Sequence, residues 1–82
     1  MKNSRRSVMS LVVGYEIVWL DGASNQPITH YVSTFKGLRR FLSRLYDESI
    51  VSVTQLLLHN NRQPISRPAL FKMGLNISPQ EP

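Results

Sequence analysis

The sequence predicts an α+β fold of order β-β-α-β, with a three-stranded antiparallel-type sheet, one amphipathic helix on one of its faces, and a short C-terminal helical turn or extended arm. Three observations lead there. Residues 33–48, STFKGLRRFLSRLYDE, separate cleanly into two arcs when stepped at about 100° per residue. Phe35, Leu38, Phe41, Leu42, Leu45 and Tyr46 make the apolar arc, while Lys36, Gly37, Arg39, Arg40, Ser43, Arg44 and Asp47 make the polar one. Residues 9–20, MSLVVGYEIVWL, are rich in β-branched and aromatic types and put Leu11, Val13, Tyr15, Ile17 and Trp19 on one wholly apolar strand face. A helix with a single apolar stripe needs a flat apolar surface to lie on, and that face supplies it. Finally, the turn formers of DGASNQP separate this stretch from a second β-rich one, so antiparallel pairing of the two is the default.

In chain order, residues 1–7 are expected to be a flexible basic N-terminus, and residues 8–60 the core domain. The first strand carries Ser10, Val12, Gly14, Glu16, Val18 and Leu20 on its second, mixed face. After Pro27, residues 28–33 (ITHYVS) read as a strand, and Ser33 or Thr34 is placed to cap the helix that follows. Asp47 and Glu48 sit where a helix dipole disfavours carboxylates, which marks a stop. Residues 49–59 (SIVSVTQLLLH) begin with β-branched residues and read as the third strand. Asn60 and Asn61 end it. Residues 61–82 hold four of the five prolines and form an arm, in which Ser66, Pro68 and Gly74 frame a short helix over residues 67–73. Residues 76–82 are expected to be unstructured.

The composition narrows the function classes. One chain of 82 residues is one domain, and without cysteine it has neither a disulfide framework nor thiol chemistry. A net charge of +5, carried mostly by arginine, suits contact with a polyanion such as DNA or RNA. The start MKNSRRSVMSLVVGY has a charged and then an apolar segment, but Glu16 interrupts the run and no small-residue cleavage site follows, so it reads as a strand and not as a leader. That run is also too short to span a bilayer, and a cytoplasmic protein with no membrane association is expected.

The chemical motifs are sparse. Lys36, Arg40 and Arg44 recur every four residues and form a ridge flanked by Arg39, a pattern able to track phosphates. Arg5, Arg6, Arg62, Arg67 and Lys72 are further basic residues able to converge on it. Most aromatics fall on core faces, which argues against a sheet that stacks single-stranded bases. His30 and His59 have no metal-ligand spacing around them, so no metal or other cofactor is expected, and no phosphate loop or nucleophile motif occurs. The expectation is a small non-catalytic binding protein that contacts nucleic acid through Lys36, Arg39, Arg40 and Arg44. Two alternatives stand beside it. One is a protein-interaction module, such as an inhibitor or accessory factor of phage or mobile-element type, in which the sheet face and arm bind a partner or a second copy through Val12, Val18, Leu20, Leu56 and Leu58. The other is a small nuclease that depends on His30 and His59.

Overall fold

The structure, a computed structural model, describes residues 11–80. The elements are β1 (Val12–Leu20), β2 (Pro27–Val32), α1 (Phe35–Leu42), a 3-10 turn (Asp47–Ser49), β3 (Ile50–Leu57), a second 3-10 turn (Leu58–Asn60), β4 (Asn61–Ile65) and α2 (Arg67–Lys72). The strands form one antiparallel sheet in the order β2-β1-β3-β4. This is the expected α+β class, with a fourth strand where the sequence suggested the start of an arm. His59 and Asn60 adopt left-handed backbone (φ 67° and 64°), and so fold Asn61 back to pair with Leu57. Such φ values are readily adopted by asparagine, so Asn60 turns the chain with His59, and Asn61, back in extended backbone, opens β4. Pro64 is tolerated because β4 is an edge strand.

Two irregularities in the β1–β3 ladder redistribute the side chains. Val12 pairs with Leu57, but Gly14 pairs with Leu56, so Val13 is an extra residue on β1. One inserted residue reverses which face each neighbour occupies. Val12 therefore packs against the core and Val13 is left 49% exposed, the reverse of the expected alternation. Leu11, also assigned to the helix-facing side, is 51% exposed. Further along, Val18 pairs with Ser52 and Trp19 with Ile50, which leaves Val51 as the extra residue on β3. Ile50 and Val53 are both buried as a result, and Val51 is exposed. Gly14 sits at the first irregularity, where a Cβ would lie 2.9 Å from the Val32 carbonyl oxygen. Only glycine allows the end of β2 to come that close.

α1 is shorter than the amphipathic pattern. Thr34 caps it, and its Oγ1 accepts a hydrogen bond from the Gly37 amide at 3.0 Å. A Cβ on Gly37 would come within 3.2 Å of that same oxygen. The helix ends at Leu42. Ser43 Oγ donates to the Arg40 carbonyl at 2.7 Å, and the amides of Arg44 and Leu45 bond three residues back, to Phe41 and Leu42. This tightened last turn uses up the terminal carbonyls, and Tyr46 then continues in extended backbone.

Both helices cover the same side of the sheet. Tyr15, Ile17, Leu38, Leu42, Ile50, Val53, Leu70, Leu75 and Ile77 form one buried cluster. Phe41 joins it at the margin, edge-on to Trp19 at 5.1 Å and stacked on the His30 ring at 4.3 Å. Within residues 76–80, expected to be unstructured, two residues are tied to the fold: Ile77 is 5% exposed and the Ser78 amide is bonded to Asp47. The expectations for residues 1–10, including Arg5 and Arg6, and for residues 81–82, lie outside the described residues.

Candidate nucleic-acid interface

The exposed cations cluster on α1 and the turn after it. Lys36, Arg39, Arg40 and Arg44 are all exposed, the first three on the helix, whose buried residues are Leu38 and Leu42. Arg39 lies over the Phe35 ring, 5.4 Å from its centroid. Arg39 and Arg40 occupy the last helical turn, where the dipole favours cations, so they also stabilise the helix. Arg44 is not part of the helix as the four-residue spacing implied; it stands on the tightened turn beyond Leu42.

Two other arginines are committed elsewhere. Arg67 is 8% exposed and joins three parts of the chain. Its Nη1 donates to Asp47 Oδ1 at 2.9 Å, and its Nη2 donates to the carbonyls of Asp47 and Ile50, each at 3.0 Å. The same Asp47 oxygen accepts the Ser78 amide at 2.7 Å. The Ser78 amide first, and then Arg67, hold the Asp47 carboxyl below the usual carboxylate range against the opposing effect of its partial desolvation. The expectation that Arg67 joins a basic surface is therefore corrected: it is a buried clamp. The sequence carried one hint, an aspartate at the helix stop and an arginine in the first turn of the next helix, but no sequence spacing connects them.

Arg62 is committed on the opposite face of the sheet. Its guanidinium reaches from β4 across β3 to Glu16 on β1, whose Oε2 also accepts the Tyr31 hydroxyl of β2 at 2.9 Å. Three strands are thus linked through one carboxylate that is only 13% exposed. The Arg62 hydrogen bond is the main cause that holds the Glu16 carboxyl below its ordinary range, and Glu16 in turn raises the Tyr31 hydroxyl above its own. A depressed carboxylate pKa stabilises the fold above the unfolded-state value and loses that contribution as the pH falls through the folded-state value. Glu16→Gln is accordingly expected to lower the melting temperature at pH 7, with the gap from wild type narrowing as the pH falls below the ordinary glutamate range and through the lowered folded-state value. Thermal melts of both proteins at falling pH check it, and a gap that does not narrow would assign the effect to something other than the charge.

The proposed partner surface is divided. Val18, Leu20 and Leu56 are half-buried on the face that carries Glu16, Val12 has turned to the helix side, and Leu58 stands in the turn after β3, 36% exposed. Nor are the histidines brought together. His30 pairs with Ile17, whereas His59 lies beyond the Val12↔Leu57 pair, about 17 Å away along β1 at the rise of a strand. Among the described residues no group of His, Asp or Glu has the arrangement of a metal site, and no helix is long and apolar enough to cross a membrane.

No family model, curated protein or solved structure matches the chain. Two depressions flank the Arg67 clamp, one of about 170 Å³ beside Val51 and Leu70 and an open one of about 330 Å³ beside Phe71 and Asn76. Each is lined by a single charged residue, Arg67 in one and Asp47 in the other, and these two are bonded to each other. Neither depression is lined by Lys36, Arg39, Arg40, Arg44 or Lys72. Neither of the two ion pairs among the described residues involves Lys36, Arg39, Arg40, Arg44 or Lys72.

Proposed function

We propose that the protein is a small, non-catalytic, cytoplasmic binding protein that contacts nucleic acid through Lys36, Arg39, Arg40 and Arg44. One observation carries this reading: four exposed cations follow one another along α1 and its terminal turn with no carboxylate partner among the described residues, while Arg62 and Arg67 are both paired. A surface of this kind attracts phosphates by neutralisation and counterion release, which needs no enclosed pocket. The protein-partner reading is less well supported, because Val12 faces the core and the arm is folded into β4, α2 and the packed residues after it.

Electrophoretic mobility shift at low salt tests the proposal. Binding is expected to fall with salt along a logarithmic slope of about −3 for four phosphate contacts. The double variant Arg40→Glu, Arg44→Glu should abolish it. Absence of any shift with the wild-type protein at low salt would defeat the reading.

A further inference from the structure

We infer that the nucleic acid taken by this site is single-stranded, and that the Tyr46 ring is the platform on which one unpaired base stacks; this rests on the basic-surface reading above. The helical pattern assigns Tyr46 to the core, yet the residue is 79% exposed to solvent. The early end of α1 is the cause. Beyond Leu42 the chain tightens to three-residue hydrogen bonds, and at Tyr46 it is extended (φ −77°, ψ 138°), which takes the ring off the buried arc.

The ring nevertheless stands on a fixed base. The Tyr46 carbonyl accepts from both the amide and the hydroxyl of Ser49, at 3.0 and 2.7 Å. The next residue, Asp47, is held by Arg67 and by the Ser78 amide. The ring forgoes the stabilisation of burial. Because the backbone beneath it is held, only the side chain's own torsions are left to order on binding.

Its surroundings match what single strands require. Arg44 precedes it by two residues, so their Cα atoms are within about 7 Å of each other. A cation beside an exposed ring contacts a phosphate and its base together. A second exposed ring, Phe71, lines the open depression that also includes Asp47, and Lys72 follows it in the chain. A duplex keeps its base faces stacked internally and has none to offer Tyr46, whereas a single strand does. On the sheet, Tyr15 and Trp19 are taken up edge-on by Phe35 and Phe41, while Tyr31, 59% exposed, has its hydroxyl tied to Glu16 and stands on β2 away from the cations of α1.

Fluorescence anisotropy with one labelled sequence, presented as single-stranded DNA, single-stranded RNA and duplex DNA, tests the inference. Tighter binding of either single strand than of the duplex supports it. Tyr46→Ala is expected to weaken single-strand binding roughly 5- to 100-fold, with duplex affinity and salt slope unchanged, and Tyr46→Phe to bind as wild type does. If Tyr46→Ala binds single strands as tightly as wild type, or if wild type prefers duplex, while Arg40→Glu, Arg44→Glu still abolishes binding, stacking is refuted and the basic-surface reading survives. If wild type binds none of the three at low salt, both fall.

Discussion

Arg67→Ala is expected to destabilise the protein by about 3 kcal/mol, measured as a lower urea midpoint at unchanged slope. The side chain is 10% exposed and donates to Asp47 Oδ1 and to the carbonyls of Asp47 and Ile50. Its removal leaves those carbonyls short of a donor, and burial of an unpaired polar group costs about 1–3 kcal/mol. It also unties α2 from the 3-10 turn, while the Ser78 amide keeps its own bond to Asp47. The Coulombic part of the ion pair is the smaller share, since Asp47 is 39% exposed and solvent screens it. Arg67→Lys keeps the charge but lacks the fork that serves a carboxylate and two carbonyls together, so it should recover less than half of the loss. For a domain of this size, whose total stability is of order 4–12 kcal/mol, such a loss is large. A midpoint for Arg67→Ala equivalent to less than 1 kcal/mol below wild type would show that the clamp is incidental.

Leu42→Ala should cost about 2–5 kcal/mol by the same measurement. Leu42 is fully buried at the last turn of α1, in the cluster with Leu38, Ile17, Val53 and Leu70. The substitution removes apolar contact and leaves a cavity between the helix and the sheet, which the rigid strands are poorly able to close. Lys36→Ala on the outer face is the contrast, expected within about 0.5 kcal/mol of wild type. Equal effects from the two substitutions would mean that α1 is not docked as described.

These two positions differ in how far they could be read without coordinates. Leu42 was legible because helical periodicity is local: an apolar arc needs only the spacing of residues along one segment. The exposed cations Lys36, Arg39 and Arg40 were legible for the same reason, as the complement of that arc. Arg67 was not. Its partners are 20 and 17 residues away, and nothing in the sequence distinguishes an arginine that will be buried against Asp47 from one left in water. The pairing of Arg62 with Glu16, 46 residues apart, was hidden in the same way.

The sequence alone determined the α+β class, the first two strands and their hairpin, and the apolar face of the helix, because each follows from short-range chemistry: side-chain alternation, turn formers and helical period. The tertiary structure decided what depends on pairing. The extra residues Val13 and Val51 are defined only relative to the strand opposite, and they sent Val12 and Ile50 into the core and their neighbours out. The fourth strand exists because a left-handed turn at His59 and Asn60 returns Asn61 to an open edge of β3. The stop of α1 at Leu42, a matter of which group each terminal carbonyl bonds, moved Tyr46 from the buried arc to the surface.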